Sequence, residues 1–349
     1  DINRFRADFI TALLAEIGHS KSDLRFDTIF FGGGTPSLLS ATELGSLIDR
    51  LNRQFKIDTT SEITVETNPG TVDSAKLKEF REAGINRISF GVQSFHTDEL
   101  QFMERIHSPE QAISAVIDAE KAGFTNSSID LIFAVPNQNR KKWEANLRQV
   151  AQLPIQHISA YSLIIEENTP FANHLKNGVF TAADQETERE LYELTIDKLA
   201  AMGFEQYEIS NFAKSEPFRS QHNLKYWRMA PYLGFGPSAH SYNGLDKRWW
   251  NVRSTQKYIE MINESGSARI KEEKLDHDQQ ILETLMQSFR LREGLNIALF
   301  NERFQLDFRD HFAKSIERYQ GLGLLDISNE HCYLSKEGQF YCNEILRNF

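Results

Sequence analysis

Three consecutive glycines follow an apolar run in FFGGGTPSLLS at 30–40. Glycines placed after a strand leave backbone N–H groups uncovered and let a ligand approach the main chain. Gly33 and Gly34, with Thr35 beside them, can therefore grip a carboxylate or an amino group. A tight turn that needs glycine explains the same tripeptide, and on this loop alone the two readings are even. ITVETNPGTVD at 63–73 puts Glu66 at the end of a second apolar strand, where a carboxylate can accept two ribose hydroxyls. Taken alone, a solvated strand-end glutamate is the more ordinary explanation. RISFGVQSF at 87–95 sets the amide of Gln93, a simultaneous donor and acceptor, at a third strand end, with a loop cap as its plain alternative. Arg105, in MERIHS, can pair bidentately with a carboxylate, although a lone arginine is by default solvated surface. SSIDLIFAVPNQ at 127–138 carries Asp130 inside an apolar strand. A carboxylate there needs partners, and Arg87 is one candidate.

These side chains require elements that bring them together. Apolar strands are expected at 28–31, 62–66, 87–91, 127–132 and 157–163, and amphipathic helices at 3–17, 41–54, 74–83, 109–122 and 141–153. Gly84 and Gly123 each stand just past a helix, where a positive φ is cheap only for glycine. Strand and helix in alternation imply parallel strands joined by right-handed crossovers. The G-x-G-x-x-G turn of a dinucleotide-binding sheet is absent. Polar residues instead end successive strands, which favours a β/α barrel whose strand ends share one mouth. Beyond residue 168 the pattern changes. A helix is expected at 183–202, a strand at 205–209, and an aromatic, glycine-rich stretch at 221–250. Helices at 279–291, 297–304 and 312–322 and a hairpin in LLDISNEHCYLS resemble a small winged-helix domain. The boundary falls in the charged stretch 271–274, giving domains over 1–270 and 275–349.

HNLKYW at 222–227 places His222 beside Tyr226 and Trp227 in what reads as a loop. Such an imidazole can ligate heme iron or stack on a porphyrin. His240, in FGPSAHS, is a second candidate. The plain alternative makes the aromatics core and the histidines loop caps.

Composition narrows the classes. Of 349 residues 40% are hydrophobic and 25% charged, as in ordinary globular proteins, and no apolar run is long enough for a membrane span. The net charge of −10 argues against a nucleic-acid partner. The two cysteines, Cys332 and Cys342, are too few for a disulfide framework and fit a reducing, cytoplasmic setting.

GGGTPS, ETNPG, RISFGVQSF, IDLIFAVP and HNLKYW, in this order and at these spacings, resemble the radical S-adenosylmethionine (SAM) proteins of the oxygen-independent coproporphyrinogen III oxidase-like family. The last motif points to the family's heme chaperone branch. The resemblance covers about residues 30–240 and, more loosely, the C-terminal part. It implies a partial (β/α) barrel followed by a winged-helix-like domain, with SAM, a 4Fe–4S cluster and heme as cargo. Gly33, Gly34 and Thr35 match the loop that meets the methionine amino group, and Glu66 matches the ribose ligand. Gln93, Arg105 and Asp130 match further contacts to SAM, and His222 stands near the heme. Heme-receiving respiratory proteins would be the partners, and the reading leaves room for a peripheral membrane contact. The alternative is an enzyme, an oxygen-independent coproporphyrinogen III dehydrogenase. There an electron from the cluster would cleave SAM to a 5′-deoxyadenosyl radical that takes a substrate hydrogen. HNLKYW and the modest length favour the chaperone. A third reading is a binding protein that has lost its cluster. Two departures stand out. The family's three-cysteine cluster motif is absent and is expected upstream of Asp1. Relatives often carry Gly-Leu-Pro where this chain has Ala134-Val135-Pro136, which adds bulk where the family's backbone comes close to its ligand.

Overall fold

Strands alternate with helices from the start of the computed structural model, which describes residues 2–349, with side chains from Phe5 onward; Asp1 lies outside it. The first part contains α1 (Ile2–His19), β1 (Arg25–Phe31), α2 (Ala41–Gln54), β2 (Lys56–Thr67), α3 (Ser74–Glu82), β3 (Arg87–Gln93), α4 (Thr97–Phe102) and α5 (Pro109–Lys121). It continues through β4 (Ser127–Phe133), α6 (Arg140–Val150), β5 (His157–Ser162), α7 (Pro170–Lys176), α8 (Gln185–Ala201), β6 (Glu205–Gln206) and β7 (Asn211–Ala213). Short polar side chains start the helices. Asp73, Asn139 and Asp184 each accept a first-turn N–H, and Ser108 forms a capping box with Gln111 ahead of Pro109. β2 is longer than the sequence suggests because its first half, Lys-Ile-Asp-Thr-Thr, lacks the apolar run that signals a strand.

The seven strands make one curled sheet in the order β1-β2-β3-β4-β5-β7-β6. Strands β2 to β5 pair in parallel, with Val65 beside Ile88, Phe90 beside Ile129 and Asp130 beside Ser159. β7 returns antiparallel on β5, and β6 on β7. The single strand expected at 205–209 is thus corrected to one arm of a hairpin. Tyr207 N–H donates to the Asn211 carbonyl across the turn, which ends the first arm early. The architecture is a partial β/α barrel.

Period-two alternation gives the sheet two unlike faces. Ile88, Phe90 and Val92 of β3, Ile129, Leu131 and Phe133 of β4, and Ile158 and Ala160 of β5 are buried beneath the helices. Trp143 of α6 lies 5.7 Å from the Phe133 ring, and its indole N–H donates to Thr195 Oγ1 at 2.8 Å. The alternate positions are polar: Arg87 and Ser89, Ser128 and Asp130, His157 and Ser159. Arg87 and Glu62 are both buried and 3.8 Å apart. His157 bridges Ser128 Oγ at 2.7 Å and the Tyr207 hydroxyl at 2.8 Å. Burial, reinforced by the Arg87 charge, holds this imidazole well below its ordinary pKa, so it is neutral.

The rest of the chain holds α9 (Gln221–Trp227), β8 (His240–Tyr242), β9 (Lys247–Asn251), α10 (Thr255–Ser265), β10 (Arg269–Lys274), α11 (His277–Ser288), β11 (Leu295–Asn296) and α12 (Ile297–Phe304). It closes with α13 (Phe308–His311), α14 (Ala313–Gly321), β12 (Leu325–Ile327), β13 (His331–Leu334) and α15 (Cys342–Leu346). The chain forms two compact units, Phe30–Ala41 with Glu62–Arg219, and Asp1–Ile29 with Thr42–Ser61 and Ser220–Phe349. In the latter, buried Glu16 of α1 accepts from Gly236 N–H (2.8 Å), Asn251 Nδ2 (2.6 Å) and the Tyr258 hydroxyl (2.7 Å). One carboxylate thereby anchors the loop before β8. Phe289, Phe300, Phe308, Phe312 and Ile345 pack with both cysteines in a helical core, beside the β11-β13-β12 sheet of the winged-helix-like domain. Among the described residues no helix is long and apolar enough to cross a membrane.

Candidate functional site

The glycine loop follows directly from the end of β1. Gly33 and Gly34 adopt φ of 74° and 52°, and no heavy atom lies within 4 Å of where a Cβ would stand on either. Only glycine holds these angles without strain, and the open space leaves the main chain accessible. Gly33 N–H donates to Glu66 Oε2 at 3.0 Å, fixing the loop to the end of β2. Thr35 Oγ1 accepts from Asn68 Nδ2 at 3.4 Å, a second tie one turn further on. Gln93 ends β3 at φ 67° and is buried, with its Nε2 2.9 Å from the position a Cβ on Gly91 would take. Gly91 therefore makes room for the Gln93 amide.

Charge is concentrated at this rim. Burial raises the Glu66 pKa, the Asp130 charge raises it further, and the Gly33 N–H and Arg87 pull it back. Burial likewise raises Asp130, against Ser159, Arg87, Ser89 and Arg105, which favour its charged form; Ser89 Oγ donates to Asp130 Oδ1 at 3.3 Å. Burial lowers the Arg105 pKa while Asp130 supports the cation, and the Arg105 Nε is buried without a hydrogen-bond partner. Tyr161 as a residue is 40% exposed, yet its hydroxyl is pushed well above the phenol range by burial and then by Asp130. The loop, Glu66, Arg105 and Asp130 are thus linked to one another at one rim, in the unit that also holds Gln93.

The two raised carboxyls carry a pH signature. The folded protein holds these protons more tightly than the unfolded chain, whose carboxyls titrate near 4. Their stabilising contribution is therefore complete below that pH and is lost as pH rises through the folded values. Asp130→Asn is expected to stabilise the ligand-free protein at pH 8 and to gain less at pH 5, as measured by urea unfolding. An advantage independent of pH would remove burial as the cause.

Ala134 stands at φ 58°, a left-handed angle where glycine is the unstrained residue, and its N–H donates to Gln138 Oε1 at 2.8 Å. The departure from Gly-Leu-Pro is thus a strained backbone position as well as an added methyl group. Ala134→Gly keeps the hydrogen bond and is expected to stabilise the protein by up to about 1 kcal/mol, relief of strain outweighing chain entropy. A lower urea midpoint would show that methyl packing dominates.

HNLKYW is not a loop. It forms the seven-residue α9, capped by Ser220 Oγ accepting from Asn223 N–H at 3.3 Å. His222 and Tyr226 stand four apart on one helix face. His222 Nε2 lies 3.0 Å from the Tyr226 hydroxyl and Nδ1 lies 3.4 Å from Thr28 Oγ1. Tyr226 packs edge-on to Tyr232 at 4.8 Å. His222 therefore sits half-buried in an aromatic frame, in the other unit from the rim. His240 is exposed and stacks on Trp250 at 5.4 Å.

An open glycine backbone, two acids and a buried guanidinium nitrogen without a partner fit a small nucleoside carrying both signs of charge, as SAM does. A 4Fe–4S cluster does not fit the residues present. Among the described residues no three His, Cys, Asp or Glu side chains could jointly hold a metal ion. Cys332 and Cys342 are buried in the C-terminal core, where burial raises both thiols, Cys332 to about 12. Ser89 and Ser159, which face Asp130, are functional-site residues that no motif announces; the available signal was the alternation of polar with apolar residues at 87–90, 128–131 and 157–160.

Residues 4–150 match the Radical SAM superfamily and residues 275–341 the HemN C-terminal domain. The chain is 38% identical to the heme chaperone HemW of Bacillus subtilis over 92% of its length and 85% of that protein. It is 31% identical to HemW of Lactococcus lactis over 98% of its length and 89% of that protein. A Danio rerio protein, mitochondrial radical S-adenosyl methionine domain-containing protein 1, is 31% identical over 92% of this chain and 74% of its own length. The solved structure of Escherichia coli HemN, a coproporphyrinogen III oxidase, shares the fold at a TM-score of 0.82 and 22% identity, covering 100% of this chain and 84% of that one.

Proposed function

Because the chain belongs to the HemW family of radical SAM heme chaperones, we propose that it binds heme through His222 and SAM at the barrel rim, and hands heme to respiratory proteins in the cytoplasm. The observation that carries the heme reading is the frame around His222, a half-buried imidazole 3.0 Å from one tyrosine hydroxyl, with a second tyrosine ring 4.8 Å behind the first. Imidazole supplies an axial nitrogen, and aromatic rings pack against a porphyrin. For SAM, the Gly33–Gly34 backbone and Thr35 would receive the amino-acid end and Glu66 the ribose, while Asp130 and Arg105 balance charge and Gln93 adds a polar contact. SAM, when bound, would supply a sulfonium group, open to reductive cleavage only where a one-electron donor is at hand. A 4Fe–4S cluster belongs to the family's cofactor set, and its thiolates are not among the described residues. We assign the radical SAM portion to 1–270 and the smaller C-terminal domain to 275–349.

Hemin titration is the test. His222→Ala is expected to weaken hemin binding about tenfold, the loss of roughly one charge-assisted contact. Unchanged affinity would remove His222 from the site. Anaerobic assay of the full-length, cluster-reconstituted protein with coproporphyrinogen III should yield no decarboxylated product; its formation would make the protein a dehydrogenase instead.

A further inference from the structure

His222 is engaged through both ring nitrogens. Its Nδ1 lies 3.4 Å from Thr28 Oγ1 on β1, and its Nε2 lies 3.0 Å from the Tyr226 hydroxyl one helical turn away. Thr28 and Tyr226 each offer a hydroxyl that can donate or accept; in the tautomer that keeps its proton on Nδ1, facing Thr28, Nε2 accepts from the Tyr226 O–H. In that tautomer the lone pair on Nε2, the one a heme iron would use, is already committed. Tyr226 makes this contact and packs edge-on against the Tyr232 ring among its contacts, and the residue is 38% exposed, so its hydroxyl has solvent beside it. The helix backbone need not follow, because Lys225 ties α9 to Asp27 of β1 at 2.5 Å.

We propose that Tyr226 is a removable cap on the iron-binding nitrogen of His222, and that Thr28 orients that imidazole. The proposal rests on His222 being the heme ligand. Loading then breaks the Tyr226 hydroxyl's bond to Nε2 and forms the iron–nitrogen bond with the same lone pair. Nε2 carries no proton in this tautomer, so none is released. The apparent affinity is reduced by the small fraction of molecules with the cap open, and removing the cap restores it. Thr28 does the opposite work: it fixes the tautomer and ring angle that present Nε2, as partners of ligating histidines generally do.

The test is hemin titration of the full chain with wild type, Tyr226→Phe, Thr28→Val, His222→Ala and the double variant Tyr226→Phe/His222→Ala. Phenylalanine keeps the ring against Tyr232 and removes only the hydroxyl. Tyr226→Phe is expected to bind hemin about three- to tenfold more tightly than wild type, the worth of one hydrogen bond. Thr28→Val is expected to weaken binding about threefold, and the double variant to bind as His222→Ala does. If His222→Ala weakens binding while Tyr226→Phe equals or falls below wild type, the cap is overturned and the ligand assignment stands. If Thr28→Val matches wild type, the orienting role is overturned. If His222→Ala matches wild type, the ligand assignment itself fails, and the cap with it.

Discussion

Arg87→Met is expected to cost about 3–5 kcal/mol of folding free energy, the usual consequence of removing one member of a buried ion pair. Arg87 and Glu62 keep 3% and 8% of their side chains exposed, so water cannot take over the lost interaction. The same guanidinium favours the charged forms of Glu66 and Asp130 and adds to the burial that keeps His157 neutral. Its loss therefore strands acids at two levels of the barrel interior. Urea unfolding measures the cost. Adding Glu62→Leu to Arg87→Met should recover most of it, because the uncompensated carboxylate is then gone. A loss below about 1 kcal/mol in the single variant would mean that solvent reaches this layer.

Glu66→Ala is expected to weaken SAM binding about ten- to hundredfold, from the loss of a charged hydrogen-bond acceptor. The Gly33 N–H loses its partner in the same variant, so the loop loosens as well. Equilibrium binding of SAM, with the melting temperature as a control on folding, separates a local defect from a general one. Unaltered affinity with unaltered melting would place the nucleoside elsewhere.

Much of this arrangement could be read before any coordinates. The glycine loop, Glu66 and Gln93 each follow or end an apolar run, a polarity switch visible in one dimension, and Asp130 stands out as an acid inside one. The capping residues Ser108 and Asp73 announce their helices in the same way. What was not legible depends on which way the sheet curls. Ser89 and Ser159 look like neutral interruptions of apolar strands until β3, β4 and β5 are laid side by side and their alternate residues face Asp130. HNLKYW misled because His, Tyr and Trp are mediocre helix formers and the helix that contains it spans only seven residues, so its cap and tertiary contacts decide its state. The sheet β10-β9-β8 pairs Lys271 with Trp250 and Trp250 with His240, a register that no local pattern specifies. Glu16 gave no hint either: its three donors come from residues more than 200 positions away.

The two-faced sheet has a consequence for how such a protein can change. Ile88, Phe90, Ile129 and Leu131 hold the helices from outside and are buried, whereas the opposite positions contribute charge and hydroxyls. Apolar packing and chemistry are thus assigned to different residues that alternate along the same strands, with the buried Arg87–Glu62 pair lending the polar face a cohesion of its own. A lineage can exchange an inward serine or acid, and with it the molecule that the cavity accepts, without disturbing the packing that keeps the wall upright.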